Sequence, residues 1–282
     1  MSDSTSKPQQ QSDYPQVERL LKIMQKLRDP EQGCPWDKQQ SFSSIVPYTI
    51  EEAYEVADAI ENGNMQDVQD ELGDLLFQVV FYAQLGKEQE AFDFEAIAKV
   101  ISDKLVRRHP HVFATQQNIS SEQVSLNWEA IKRQERAQKG EDAQASVLAN
   151  IPVSMSPLMR AHKIQKACAK VGFDWPEVGP VLDKVQEEVS EVMEELEQEP
   201  KNQQRIEEEV GDLLFAVVNL ARHLDVNAET ALRKANKKFA GRFEKVEQHF
   251  AKQNTKLSDT TLSQMESIWL QVKRLESEST QS

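Results

Sequence analysis

The sequence predicts an all-α protein built from two similar helical bundles, and three observations support this prediction. Apolar residues recur with the three- and four-residue spacing of helices. The chain contains only 9 Gly and 11 Pro among its 282 residues, and one set of motifs occurs twice in the same order. Sandwiches and barrels need many turns, in which Gly and Pro are common, so their scarcity counts against an all-β fold.

Helical spacing is clear in several segments. Residues 17–27 place apolar side chains three and four positions apart, and Pro30 stops that helix. Pro180 suits the first turn of a helix, in which the apolar residues from 181 to 196 cover an arc of about 120°. Further helices are predicted near residues 94–107 and 228–250. Each half is therefore expected to form a core of the four-helix-bundle type.

An internal duplication organises the chain. Residues 71–80 read ELGDLLFQVV and residues 209–218 read EVGDLLFAVV, which agree at eight of ten positions. An EExxE cluster precedes each run, and a Trp beside Asp and Pro precedes each cluster. A Trp followed four residues later by Lys closes each copy, at Trp128 and Trp269. This order indicates a doubled domain of about 100 residues rather than a solenoid, whose period is about 20–50 residues.

The duplication sets the expected domain boundaries. We predict disordered tails over residues 1–14 and 277–282, an N-terminal domain over 15–136, a linker over 137–157 and a C-terminal domain over 158–276. Both tails are too polar to bury a core. The linker contains Gly140, Pro152 and Pro157 and has no sustained periodicity.

Charge and cysteine content limit the possible partners and location. With 33 Lys and Arg against 47 Asp and Glu, the net charge is −14, so we expect no nucleic acid polymer as a partner. A small anionic ligand stays possible if cations or local basic residues neutralise it. Cys34 and Cys168 form neither a CxxC motif nor a disulfide framework, and no apolar stretch is long enough for a membrane span. We expect a cytoplasmic protein that does not enter a membrane.

Two pairs of acids in the second half form the candidate metal site. Glu188 and Glu191 are three residues apart, as are Glu209 and Asp212 on the following helix, so each pair consists of surface neighbours. Crowded carboxylates repel each other and lose hydration, which raises the free energy of their charged forms. Each unit by which a pKa shifts corresponds to about 1.36 kcal/mol. A cation among them removes this cost. Oxygen ligands without His or Cys favour Mg²⁺, and next Mn²⁺, and Mg²⁺ commonly meets phosphate oxygens.

Four alternatives compete with a catalytic Mg²⁺ site. Glutamates on helices commonly form a solvated face, and Thr49 with Glu52 matches a helix-capping box. The repetition of EExxE followed by ExxD favours the metal site over both. A di-iron bundle needs Glu-x-x-His pairs, and no histidine of the chain has a Glu three residues before it, which excludes that site. A non-catalytic helical dimerisation or regulatory module stays open as a second function.

In each half the motif EExxE is followed, after a spacer of 15 or 17 residues, by the motif ExxD. This arrangement resembles the signature of the all-α nucleoside triphosphate pyrophosphohydrolases. Together with GCPWD, GDLLF and RRHPHVF, the tandem halves resemble the two-domain bacterial MazG family over residues 15–276. The resemblance implies Mg²⁺-dependent hydrolysis of a nucleoside triphosphate to the monophosphate and diphosphate, with broad base specificity, by a homodimer. It also implies a role in nucleotide-pool housecleaning or in the control of a stress nucleotide.

The resemblance implies roles for individual residues. The metal ligands match Glu188, Glu191, Glu209 and Asp212, with Glu52, Glu55, Glu71 and Asp74 as the second set. The nucleotide-binding residues match Lys184, Val185, Gln186, Glu187, Glu188, Arg205, Ile206, Glu207, Glu208, Asp212, Lys238, Arg242 and Trp269. Glu187 or Glu188 is the candidate catalytic residue that orients or deprotonates the attacking water, and Trp269 suits base stacking.

The two halves differ in the basic residues around their acids. Lys184 and Arg205 stand four residues before the first acid of each pair in the second half, where the first half has Tyr48 and Asp67. Both halves keep a later Lys and Arg, namely Lys104 and Arg108 in the first and Lys238 and Arg242 in the second. A triphosphate is strongly anionic, so we expect the second half to be the better catalyst.

Overall fold

The computed structural model describes residues 14–114 and 146–279, together with residues 120, 123–124, 127–128, 130–131 and 135. None of these residues lies in a strand, which confirms the predicted all-α class. The chain divides into two compact units, the first over residues 1–140 and the second over residues 141–282. The expected tails over residues 1–13 and 280–282 and the linker over 137–145 lie outside the described residues.

The described helices of the first unit are α1 (Pro15–Leu27), α2 (Pro35–Gln39), α3 (Phe42–Asn62), α4 (Met65–Glu88), α5 (Phe94–Arg108) and α6 (Pro110–Phe113). Helices α3 and α4 pack against each other along their lengths, and α1 and α5 pack against α4. Gly63 ends α3 with a φ of 76°, a left-handed conformation that glycine adopts without a Cβ clash. The Asn64 side chain then accepts a hydrogen bond from the Gln66 N–H and caps α4. The two-residue connection makes α3 and α4 an antiparallel pair.

The start of α3 contradicts one sequence interpretation. Thr49 and Glu52 do not form a capping box, because α3 begins at Phe42 and both residues lie inside it. Ser41 and Ser44 form the capping box instead, each side chain accepting from the other residue's backbone N–H. Glu52 therefore has no capping role at the helix end.

The second unit repeats this arrangement with α7 (Pro157–Ala169), α8 (Val178–Glu197), α9 (Gln203–His223), α10 (Ala228–Lys252) and α11 (Leu262–Ser279). Helices α8 and α9 form the central pair, α7 packs against α9 and α10, and α11 packs against α10. Pro157, expected to be the last linker residue, is the first residue of α7. Residues 277–279, expected in the C-terminal tail, instead form the last turn of α11. No helix in the described part of the chain is both long and apolar enough to cross a bilayer.

The core of the first unit is packed with apolar side chains between α1, α3 and α4. Met24, Ile45, Val80, Phe81 and Leu85 form one buried cluster, in which Phe81 is 0% exposed. The corresponding space of the second unit is built differently. That difference creates the cavity described below.

Candidate active site

Three carboxylates of the second unit meet where α8 and α9 pack together. Glu188 lies on α8, and Glu209 and Asp212 lie one turn apart on α9. One oxygen of each lies within 4.8 Å of the others. We call these residues the second-unit acid cluster. Glu188 is only 5% exposed, so its charge is largely removed from water and needs a partner.

Glu191, predicted as a fourth ligand, lies beside this cluster rather than within its closest group. Its side chain shares a hydrogen bond with Glu188, and this bond, together with burial, raises the pKa of Glu191. This contact brings two carboxylates together, and a bound cation would relieve their mutual repulsion. The donors are all carboxylate oxygens, which suit a hard cation such as Mg²⁺ or Mn²⁺.

Two basic side chains contact these acids, at the positions that the sequence spacing indicated. The Nζ of Lys184 lies 2.7 Å from Glu188 Oε1 and 2.9 Å from Glu187 Oε1, and hydrogen bonds to Glu188 and then Glu187 raise the pKa of Lys184. Arg205 Nη2 lies 3.1 Å from Glu195 and 3.6 Å from Glu209. The second-unit acids are therefore partly neutralised by the protein itself.

The remaining predicted nucleotide-binding residues fall into two groups. The first group lies on α8 and α9 among the acids and consists of Val185, Gln186, Glu187, Ile206, Glu207 and Glu208. Lys238, Arg242 and Trp269 lie instead on α10 and α11. Arg242 donates to Glu276 at 2.7 Å, and its guanidinium lies 6.0 Å from the Trp269 ring centre. These last three residues do not line the cavity beside the acid cluster.

A cavity of about 550 Å³ opens next to the second-unit acid cluster. We call it the α7–α9 cavity. Its walls come from α7, α8, α9 and the segment 172–175, and it reaches Lys184, Glu188 and Asp212. Phe173, Trp175 and Phe215 give it aromatic walls, and Gln165, Asp174, Asn219 and Arg222 give it polar ones. The sequence patterns included Asp174 and Trp175 only as the Trp beside Asp and Pro, and Phe215 only within the repeated GDLLF run, and they predicted no ligand-binding role for these aromatic and polar residues.

A hydrogen-bond network fixes the polar wall of the cavity. Arg222 donates to Asn219 Oδ1 at 3.0 and 2.8 Å and to Asp174 Oδ1 at 2.5 Å. Burial raises the pKa of Asp174, but hydrogen bonds from Arg222 and His223 outweigh it and hold the pKa below its ordinary value. Because Arg222 can only donate, the oxygen of Asn219 faces Arg222 and its NH₂ group is left for the cavity.

Gln165 supplies the complementary group. Its Nε2 donates to the backbone carbonyl of Phe215 at 2.8 Å, which fixes the orientation of the amide. Its Oε1 is buried and has no hydrogen-bond partner among the described residues. A buried, unpaired acceptor is costly for a protein. The cavity wall therefore offers one donor, the Asn219 NH₂ group, and the unpaired Gln165 Oε1 lies buried within that wall.

Among the described residues of the first unit, larger apolar side chains occupy the equivalent place. In the aligned runs ELGDLLFQVVF and EVGDLLFAVVN, Phe81 occupies the position of Asn219. A shared Lys-Ile pair aligns Met24 with Gln165, and Met24 is 1% exposed. This contrast between Phe81 and Asn219 is the sequence signal that could have revealed the cavity.

The first unit nevertheless keeps an acid cluster. One oxygen each of Glu52, Glu55 and Glu71 lies within 4.8 Å of the others, and we call these residues the first-unit acid cluster. Burial and the nearby charges of Asp74 and Glu55 raise the pKa of Glu52. Burial, Glu55 and Asp74 likewise raise the pKa of Glu71. Asp74 therefore lies close enough to act on both, although it is outside the closest group.

Comparison with known proteins agrees with this duplicated architecture. Residues 40–113 and 180–247 each match the MazG nucleotide pyrophosphohydrolase domain. The chain is 58% identical to the nucleoside triphosphate pyrophosphohydrolase of Escherichia coli (strain K12) over 261 residues, 93% of this chain and 98% of that protein. It is 41% identical to the nucleoside triphosphate pyrophosphohydrolase/pyrophosphatase MazG of Thermotoga maritima, over 91% of this chain and 95% of that one. Mycobacterium tuberculosis has a nucleoside triphosphate pyrophosphohydrolase that is 32% identical over 55% of this chain and 46% of its own length.

Proposed function

Because the chain belongs to the MazG nucleotide pyrophosphohydrolase family, we propose that its second unit hydrolyses nucleoside triphosphates to monophosphates and diphosphate with Mg²⁺. The chain is an enzyme of the nucleoside triphosphate pyrophosphohydrolase class. One observation carries the finer proposal: the second-unit acid cluster opens directly onto the α7–α9 cavity, since Glu188 and Asp212 belong to both. A phosphate chain at the acids can thus continue into a nucleoside in the cavity.

The second-unit acid cluster fits a divalent cation, and Glu188, Glu191, Glu209 and Asp212 would hold it. When bound, Mg²⁺ neutralises charge on the phosphate oxygens and favours attack by water. The protein's part is to fix the carboxylates: α8 and α9 set their positions, and the burial of Glu188 keeps competing water away. Glu187 and Glu188 remain the two candidates for orienting or deprotonating the attacking water.

Lys184 and Arg205 have two tasks in this proposal. Without substrate they neutralise Glu188 and Glu209, which keeps the acid cluster compatible with folding. With substrate they supply positive charge to the phosphate oxygens and to the leaving diphosphate. Lys238 and Arg242 on α10 are proposed to add to this charge. The first unit has neither of the first two groups, which supports catalysis by the second.

The α7–α9 cavity is proposed to hold the nucleoside. Trp175 and Phe173 offer rings for stacking, which tolerates any base. The Asn219 NH₂ group offers a hydrogen-bond donor at the cavity wall. Every common base carries at least one acceptor, so this donor together with ring stacking supports broad base specificity. Stacking of a base on Trp269 stays a prediction, since that ring packs 4.8 Å from Phe239 outside the cavity.

We also propose that the enzyme acts as a homodimer. Apolar side chains on α8 and α9 face away from the described residues of the second unit: Val189, Met193 and Leu214 are 43%, 55% and 55% exposed. Contiguous exposed apolar surface of this kind usually marks a protein interface. The two cysteines are free, which is usual in a reducing compartment such as the cytoplasm, and we propose on family membership that the enzyme there cleans the nucleotide pool.

The test is release of diphosphate from each of the eight common nucleoside triphosphates with Mg²⁺. We expect turnover of all eight, loss of turnover in Glu209→Gln, and retention in Glu71→Gln, the matched change in the first-unit acid cluster. Full activity of the Glu209→Gln variant would contradict the proposed site. The non-catalytic module predicts instead no turnover and no change in melting temperature with Mg²⁺ and nucleotide.

A further inference from the structure

Within the described part of the chain, the Asp174 carboxylate uses only one of its two oxygens. Oδ1 accepts hydrogen bonds from Arg222 Nη2 at 2.5 Å, from His223 Nε2 at 3.0 Å and from the Trp175 backbone N–H at 3.1 Å. Oδ2 has no hydrogen-bond partner among the described residues. The side chain lines the α7–α9 cavity and is 23% exposed. Oδ2 is therefore an unused acceptor at the cavity wall.

The contacts of Oδ1 also fix the charge of this carboxylate. Although burial opposes ionisation, hydrogen bonds from Arg222 and His223 hold the pKa of Asp174 below its ordinary value. An ionised carboxylate accepts hydrogen bonds at both oxygens and donates none. Oδ2 can therefore bind only a ligand group that carries an N–H or O–H.

Asn219 places a donor beside this acceptor. Arg222 Nη2 lies 2.5 Å from Asp174 Oδ1 and 2.8 Å from Asn219 Oδ1, so one nitrogen holds the two side chains next to each other. The Asn219 oxygen faces Arg222, which leaves the NH₂ group for the cavity. The wall thus presents a donor and an acceptor side by side.

The fold does not require the polar groups that hold Asp174 in place. In the aligned repeats the second unit has three polar residues on this part of α9: Asn219, Arg222 and His223. The first unit has Phe81, Gln84 and Leu85 at these positions, and Phe81 and Leu85 are 0% and 4% exposed within an apolar core. Because apolar residues pack the same place in the other repeat, the polar network favours a role in ligand binding.

A base in the cavity would meet both groups. The Watson–Crick edge of each common base carries an N–H donor next to an acceptor, although the order of the two differs between bases. The N–H can donate to Asp174 Oδ2 while the neighbouring acceptor receives the Asn219 NH₂ group. One donor–acceptor pair can therefore serve every common base.

We propose that Asp174 is a specificity-determining residue, whose Oδ2 accepts the N–H of the Watson–Crick edge while Asn219 donates to the adjacent acceptor. This inference rests on the proposed function and adds a substrate class to it. The class consists of nucleoside triphosphates whose base keeps an N–H donor on that edge. A base without this donor leaves a carboxylate oxygen desolvated and unpaired, which is costly.

The experiment compares ATP with purine ribonucleoside triphosphate, in which a hydrogen replaces the 6-amino group and no N–H remains on the Watson–Crick edge. In the wild type, kcat/KM for diphosphate release should be about tenfold or more higher for ATP. Asp174→Asn keeps an oxygen for Arg222 and His223 but turns an NH₂ group to the cavity. It should reduce the ratio of the two kcat/KM values to about one.

The ratio separates base recognition from a structural role. If Asp174 only anchors residues 172–175 to α9, Asp174→Asn will lower kcat/KM equally for both substrates and keep their ratio, which would overturn the inference. Equal kcat/KM values in the wild type would overturn it without any variant. Inorganic triphosphate has no base, so its inhibition constant should be the same in Asp174→Asn and in the wild type. Failure of the proposed function would appear differently, as no diphosphate release from any nucleoside triphosphate.

Discussion

Filling the α7–α9 cavity provides the sharpest test of where the nucleoside binds. Asn219→Phe places in the second unit the residue that the first unit has at this position, where Phe81 is fully buried. The new ring should stabilise the fold by about 1.5–3 kcal/mol through burial. Loss of the charged hydrogen bonds from Arg222 to Asn219 should offset this by about 1.5–3 kcal/mol. We therefore expect a small change in the free energy of unfolding, and the variant should fold.

The effect on catalysis should be much larger. Loss of the Asn219 donor alone should cost about 1–3 kcal/mol of transition-state binding, which is about 5- to 150-fold in kcat/KM. Because the ring also occupies the proposed nucleoside space, Asn219→Phe should lower kcat/KM more than Asn219→Ala does, mainly by raising KM. The assay is initial-rate diphosphate release as a function of nucleoside triphosphate concentration.

Two controls separate loss of nucleoside binding from general damage. Inorganic triphosphate lacks a nucleoside, so its inhibition constant should be the same in Asn219→Phe and in the wild type. Phe81→Leu shortens the corresponding side chain of the first unit but keeps it apolar, and it should leave kcat/KM unchanged. A kcat/KM of Asn219→Phe within about twofold of wild type, well inside the smallest expected loss, would refute the assignment of the cavity.

Three further outcomes are expected. Glu209→Gln should lower kcat by about 100-fold or more, because a proposed metal ligand is lost, whereas Glu71→Gln should leave kcat unchanged; steady-state kinetics measure both. Glu88→Gln should lower the free energy of unfolding at pH 7 by about 1–2 kcal/mol, because Arg28 is left buried without its charged partner. Hydrogen bonds from Arg28 hold the pKa of Glu88 below its ordinary 4.5, so the stabilisation by this ion pair is complete above pH 4.5 and is lost as the pH falls through the lowered pKa. Urea unfolding of the wild type and of Glu88→Gln, at pH 7 and at low pH, measures this stabilisation. An equal difference between the two proteins at both pH values would contradict the reasoning. Leu214→Lys should convert the proposed homodimer to monomers in light scattering, and an unchanged mass would exclude this face as the interface.

Much of the fold was predictable because it depends on local pattern. Apolar spacing sets the helices, and acids three residues apart must be neighbours on a helix. The four-residue spacing that placed Lys184 beside Glu188 is of the same local kind. The capping interpretation of Thr49 was wrong, since motif matching cannot tell a helix start from a helix interior when Ser41 supplies a stronger cap eight residues earlier.

The cavity was harder to predict because it arises from tertiary packing. Gln165, Trp175 and Asn219 come from three separate segments and meet only when α7 packs against α9. No periodicity reveals that an apolar core is missing at one place. The duplication did contain the information, since one internal copy has Phe and Met where the other has two amides.

The contacts of Glu276 have a consequence for the chain's C-terminal helix. This carboxylate binds Arg242 at 2.7 Å and Lys245 at 2.6 Å, and so ties α11 to α10. Hydrogen bonds from Lys245 and Arg242 hold the pKa of Glu276 low, so the tie is intact at neutral pH. Any phosphate that recruits Arg242 must compete with Glu276 for it. If Arg242 binds substrate phosphate as proposed, substrate binding and the anchoring of α11 compete for the same side chain, and a weaker anchor should give tighter substrate binding.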